Sequence, residues 1–111
     1  MKIDEQRLGA VLVIKPNGPL VGADAEHFRS RLLQALDDVQ GRFVLDASAI
    51  AFVDSKGLEA LVEVNDQMSA TGRAMKICNA TETVRQVLRM TGLAGIFEYF
   101  EEVTTAIRSF L

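Results

Sequence analysis

The stretch Phe52–Leu58, with the sequence Phe-Val-Asp-Ser-Lys-Gly-Leu, decides the fold of the chain. It follows the unbroken apolar run Phe43–Leu45, which suits a strand covered on both faces, and Phe52 and Val53 are expected to return to the core. An amphipathic run starts at Leu58. This order indicates that a buried strand ends here and that a helix begins. Serine is one of the residues that most often cap the N-terminus of a helix, so we expect Ser55 to be the cap.

The hydroxyl group of Ser55 has two interpretations. The first turn of a helix presents unpaired N–H groups and a partial positive charge, so it tolerates an anion. A phosphate there would add about −1.5 to −2 charge at pH 7 and would repel a partner surface fitted to a neutral hydroxyl. The pattern fits either a plain helix cap or a phosphorylation switch.

Composition limits the class of protein. The chain has 111 residues, of which 49% are hydrophobic and 24% charged, as expected for a single globular domain over residues 1–111. No apolar run approaches the roughly 20 residues of a membrane helix, and the first residues lack the apolar core of a signal peptide, so we expect a cytoplasmic protein without direct membrane insertion. The net charge of −3 and the pI near 5.1 argue against a nucleic-acid partner.

Strand and helix patterns alternate along the chain after an opening hairpin. We therefore expect an α/β fold with a mixed central sheet of about four or five strands and about four helices packed against it. The predicted strands are Lys2–Gln6, Val11–Ile14 (stopped by Pro16–Pro19), Phe43–Leu45, Ala74–Cys78 and Ile96–Phe97. The predicted helices are Ala25–Val39, one starting at Ser55, one opened by Thr81–Thr83, and one after Glu101 and Glu102.

The helix that follows Ser55 has a predicted apolar face and an acidic face. Leu58, Leu61, Val62 and Met68 are expected to point inward, and Glu59, Glu63, Asp66 and Gln67 outward. The acidic face fits either plain solvation or a basic partner surface.

Catalytic signatures are missing from the sequence. A Ser-His-Asp site needs hydrogen-bond contact between its members, and the one histidine, His27, is predicted to be an exposed residue of the first helix. The sequence has neither a glycine-rich phosphate loop nor a credible zinc-ligand set, and the sole cysteine, Cys78, is predicted to be a small core residue. We expect no enzyme activity, no cofactor and no metal.

The central stretch resembles the signature of STAS domains, specifically those of anti-sigma factor antagonists. The resemblance covers about Val11 to Val103. It lies in Leu45–Ser48, Ile50 and Phe52–Leu58, and is extended by Gly18–Leu20, the region Gly72–Asn79, Gly92-Leu93 and Phe97.

The resemblance implies a STAS fold and a phosphorylation-switched binding module. Ser55 would be the phosphorylated residue, and the unphosphorylated form would sequester an anti-sigma factor that is also a serine kinase. A serine phosphatase would restore binding. Asp54 would support recognition or modification, Gly57 would allow close approach of the partner, and Lys56 and Leu58 would belong to the same partner-binding stretch.

Two points stay open beside this resemblance. Lys56 stands where the family has serine or threonine, so it could pair with a phosphate and weaken the switch or tune selectivity for a different kinase. The alternative function is a STAS subunit or scaffold of a lipid-transport ATPase complex, or of another signalling pathway without sigma control. In that case Ser55 would only cap a helix.

Overall fold

The computed structural model describes residues 1–111 and contains one five-stranded sheet in the order β1-β2-β3-β4-β5. The strands are β1 (Lys2–Leu8), β2 (Val11–Asn17), β3 (Phe43–Asp46), β4 (Lys76–Cys78) and β5 (Glu98–Phe100). The helices are α1 (Gly22–Asp38), α2 (Ser55–Ser69), α3 (Glu82–Met90) and α4 (Val103–Arg108). The predicted mixed sheet with four helices is confirmed.

The first two strands form the predicted hairpin, and the remaining strands are parallel. β1 pairs with β2 antiparallel from Leu8 opposite Val11 to Lys2 opposite Asn17, with Gly9 at φ 64° in the turn. The other three pairings are parallel. β2 runs on through Pro16, which the sequence predicted would stop it. A proline is tolerated there because the pairing with β3 covers only Leu12–Ile14 and leaves that edge free.

The two sides of the sheet have separate apolar clusters. The larger has 21 buried residues, including Ile14, Phe28 and Leu45, and joins the sheet to α1, α2 and α3. On the opposite side Val11, Val44, Cys78 and Ala106 form a smaller cluster under α4. As predicted for a strand covered on both sides, every residue of β3 is buried.

Cys78 is a core residue, as predicted. Its side chain is completely buried. Burial raises the pKa of the Cys78 thiol to about 12, and the nearby Asp46 carboxylate adds to the rise. The thiol therefore stays protonated at neutral pH, which fits a packing residue and not a nucleophile.

Two further details of the predicted pattern are wrong. The last strand begins at Glu98 and not at Ile96, because Ala94–Ile96 form one turn of 3₁₀ helix and Phe97 fills the core before pairing with β4 starts. In α2, Leu58 packs against the core as predicted but is only half-buried, and Val62, predicted to point inward, is half-buried too. Ala60, Val64 and Asn65 also turn inward, and Asn65 Oδ1 accepts a hydrogen bond from the Met75 N–H at 2.7 Å.

No helix combines the length and the apolar character that crossing a bilayer requires.

Candidate functional site

The site is built from two loops that leave the same edge of the sheet. The loop after β2 and the loop after β3 are joined by backbone hydrogen bonds: Gly18 N–H to the Ala49 carbonyl at 3.0 Å, and Leu20 N–H to the Phe52 carbonyl at 2.8 Å. Leu20 also pairs with Val53 in an isolated parallel bridge. These contacts fix the backbone that leads into α2, so Ser55 is held in place by paired structure.

Asp54, and not Ser55, caps α2. Asp54 has an extended backbone, and its Oδ1 accepts a hydrogen bond from the Gly57 N–H at 2.9 Å, whereas Ser55 is already the first helical residue. Asp54 Oδ2 accepts a second hydrogen bond, from the Gly22 N–H at the start of α1, at 3.1 Å. The prediction of a Ser55 cap is therefore wrong: the adjacent aspartate is an equally good cap, and its second oxygen reaches another helix.

Replacing Asp54 by alanine is expected to lower the free energy of unfolding by about 1–3 kcal/mol, since the cap and the link to Gly22 are both lost. The domain should stay folded, because this is less than the typical total stability of about 5–15 kcal/mol. Asp54→Asn is the matched control: it keeps the oxygen that faces Gly57 and should lose less. Urea unfolding measures the difference. Wild-type stability for Asp54→Ala would show that the carboxylate does not hold the two helix starts together.

Gly57 is buried between α2 and the loop after β2. A Cβ atom added at position 57 would lie 2.4 Å from the Leu20 carbonyl oxygen and 2.7 Å from Val53 Cγ1. Close packing within the domain therefore explains why position 57 is a glycine. The contact with a partner that the resemblance implies for Gly57 is not needed to explain this residue and stays a prediction.

Ser55 and Lys56 are exposed, and Leu58 is half-buried one turn further along α2. The N–H groups of Ser55 and Lys56 find no acceptor in the chain, as expected for the first turn of a helix. None of the five surface hollows is lined by Asp54, Ser55 or Lys56. Ser55 is thus exposed on a part of the surface that belongs to none of these hollows.

Phe52 is a further candidate contact residue, and the prediction that it lies in the core is wrong. Its side chain is 46% exposed, while that of Val53 is 4% exposed. The bridge between Leu20 and Val53 gives this segment strand character, so successive side chains point to opposite sides. Two adjacent apolar residues in a sequence do not show the partner strand that decides which of them is buried.

His27 lies exposed on α1, as predicted.

The fold and the site define a small α/β domain that displays an anchored serine at the start of a helix. The model of the STAS domain matches residues 2–106, and the chain therefore belongs to the STAS domain family. This confirms the resemblance seen in the sequence.

Two curated relatives are named for different functions. BtrV of Bordetella bronchiseptica, named as a candidate anti-sigma factor antagonist, is 26% identical over 97 residues, which cover 87% of this chain and 84% of BtrV. The probable sulfate transporter Rv1739c of Mycobacterium tuberculosis is 29% identical over 111 residues, which cover 95% of this chain and 20% of the transporter. The chain thus corresponds to about one fifth of that transporter.

Solved structures show the same fold. The anti-sigma factor antagonist SpoIIAA in its unphosphorylated form superposes with a TM-score of 0.76 at 20% identity, covering 97% of this chain and 96% of SpoIIAA. The phosphorylated form of Bacillus SpoIIAA superposes with a TM-score of 0.71 at 20% identity, covering 97% of this chain and 99% of SpoIIAA. At this identity the likeness concerns the fold.

Proposed function

We propose that the protein is an anti-sigma factor antagonist whose partner is an anti-sigma factor with serine kinase activity. The unphosphorylated form sequesters this partner, which frees the sigma factor. Phosphorylation of Ser55 ends the binding, and a serine phosphatase restores it. The protein is then a substrate of a kinase and a regulatory binding module, not a catalyst, and it acts in the cytoplasm.

The observation that carries the proposal is that Ser55 is exposed and that its hydroxyl group has no partner within the domain. Its side chain is exposed at the first residue of α2, and its hydroxyl makes no hydrogen bond within the domain. A kinase can therefore reach the hydroxyl without opening the fold. The names of BtrV and SpoIIAA, and the fact that SpoIIAA exists in phosphorylated and unphosphorylated forms, support the same function.

The local geometry suggests how a phosphate would act. The free N–H groups of Ser55 and Lys56 and the positive end of α2 would stabilise the added charge. The neighbouring Asp54 carboxylate is already occupied by two backbone N–H groups, so it can keep its place. The added charge would then lower the affinity for a docked partner more than the stability of the fold, because it causes repulsion and desolvation at the interface.

Mass spectrometry of the protein from its own cells tests this proposal. We expect a phosphoryl group on Ser55 in at least one of two conditions, resting and stressed growth. Unmodified Ser55 in both conditions would favour the second candidate, a STAS module that docks without a switch. The match to one fifth of a sulfate transporter is the observation behind that candidate.

Lys56 is expected to reduce the loss of partner affinity that a phosphate on Ser55 causes. Neighbouring residues of a helix do not face each other, so Lys56 should act on a phosphate through solvent and not by a fixed ion pair. Two opposite charges about 7 Å apart in water attract by about 0.6 kcal/mol, and the double charge of a phosphate roughly doubles this. Lys56→Ser should therefore weaken the binding of the phosphorylated form about threefold to eightfold further.

The measurement for Lys56 is the ratio of dissociation constants of the phosphorylated and unphosphorylated forms, in wild type and in Lys56→Ser. Lys15→Ser is the control, because this lysine lies on β2 and forms no ion pair. Identical ratios in Lys56→Ser and wild type would exclude a shielding role for Lys56.

A further inference from the structure

The outer side of α2 carries an open groove that the fold leaves uncovered. Leu58 and Val62 lie one helical turn apart on α2, and Leu93 follows α3; together they form the apolar floor. The groove has a volume of about 360 Å³, and all three side chains are half-buried. Leu58 and Leu93 pack against the larger apolar cluster with part of their surface, and the remainder, together with Val62, stays open at the surface of the domain.

Carboxylates border this apolar floor. Glu59, Glu63 and Asp66 line the groove, and no lysine or arginine does. Glu63 is neutralised by Arg29 of α1, whose Nη2 donates to Glu63 Oε1 at 2.8 Å, and this contact lowers the pKa of Glu63. Glu59 and Asp66 are exposed and take part in no ion pair of the chain. The groove therefore combines apolar surface with two carboxylates that lack a counter-charge.

We infer that this groove docks an amphipathic helix of the partner protein, with aliphatic side chains on one face and lysine or arginine beside them. The inference rests on the proposed function for the identity of the partner, which is the anti-sigma factor. Aliphatic residues four positions apart on such a helix are spaced by about 6 Å, as Leu58 and Val62 are along α2. The flanking cations would face Glu59 and Asp66.

An extended segment fits the groove less well than a helix. The backbone groups along the middle of α2 are hydrogen-bonded within the helix, so an extended chain would find no strand edge to pair with. A helix satisfies its own backbone groups and needs only side-chain contacts. An acidic helix is disfavoured because it would meet the two free carboxylates.

Docking in the groove is separate from the switch. Leu58 follows Ser55 by three residues, so a partner held in the groove lies close enough for another part of its surface to meet the serine. The basic face of the docked helix is complementary to the acidic border and not to a neutral hydroxyl. The groove should therefore contribute affinity for the partner that does not depend on a contact with the Ser55 hydroxyl.

Amide shifts of the isotope-labelled domain during titration with two synthetic peptides test the inference. One peptide has about five helical turns with leucines at i and i+4 and lysines beside them. Its twin has glutamate in place of each lysine. The basic peptide should shift the amides of Leu58, Val62 and Leu93, and its acidic twin should not.

Matched charge reversals show whether the groove itself binds. Glu59→Lys with Asp66→Lys should weaken binding of the basic peptide at least tenfold. Glu101→Lys with Glu102→Lys makes the same change in net charge before α4 and should leave binding within twofold.

Several results would overturn the inference: equal weakening by both double reversals, shifts centred away from the groove, equal binding of the acidic twin, or no binding of the basic peptide. The outcome is independent of the state of Ser55. Groove binding without phosphorylation in cells would refute the switch and leave the groove assigned. A phosphorylated Ser55 without groove binding would support the switch and refute the assignment of the groove.

Discussion

Replacing Gly57 by alanine is expected to lower the free energy of unfolding by about 3 kcal/mol, near the upper end for overpacking of a well-packed site. The added Cβ would lie 2.4 Å from the Leu20 carbonyl oxygen and 2.9 Å from Leu20 Cβ. Neither is the far end of a flexible side chain. The Leu20 carbonyl also accepts a hydrogen bond from the Asp54 N–H at 3.2 Å, so moving it disturbs the entrance to α2.

The matched control for this prediction is Gly95→Ala. Gly95 has no atom within 4 Å of an added Cβ and does not require a positive φ, so the change should leave stability within about 0.5 kcal/mol. Urea unfolding of both variants measures the contrast. Equal stability of Gly57→Ala and Gly95→Ala would mean that Leu20 and α2 are not packed as described, and the anchoring of Ser55 would lose its basis.

Replacing Ser55 by aspartate is expected to weaken binding of the kinase partner at least about thirtyfold, because a like or unpaired charge in an interface costs several kcal/mol. Stability should stay at or slightly above the wild-type value. Ser55 makes no hydrogen bond that would be lost, and a carboxylate in the first turn of α2 interacts favourably with the helix dipole. The variant should therefore lose affinity for the partner without losing stability.

Ser55→Asn separates charge from shape in this test. Asparagine has nearly the size of aspartate but no charge, so it should retain most of the binding that aspartate loses. Calorimetry with the purified partner gives both affinities, and thermal unfolding gives both stabilities. If the asparagine and aspartate variants bind equally well, charge at position 55 does not control the interaction.

The sequence predicted the main elements because their patterns are local. The unbroken apolar run Phe43–Leu45 indicated a strand buried on both sides, and the helical spacing from Ala25 to Val39 indicated α1. The motif around Ser55 also placed the candidate site at the start of α2. These features depend on the order of residues within one element, which a single sequence contains.

What the sequence could not predict depends on contacts between distant segments. Asp54 is the cap because Gly22, at the start of another helix, gives its carboxylate a second hydrogen bond. Phe52 is exposed because Leu20 pairs with its neighbour Val53. Val62 is only half-buried because α2 packs through Ala60 and Val64. Each outcome follows from tertiary packing that overrides a local pattern.

The most direct test of the central claim is a comparison of partner binding by the protein phosphorylated on Ser55 and by the same protein after phosphatase treatment. We expect the dephosphorylated form to bind the anti-sigma factor and the phosphorylated form to bind at least about thirtyfold more weakly, with both forms equally folded. Equal affinity of the two forms would contradict the account, and Ser55 would then be an exposed helix residue beside an unswitched docking surface.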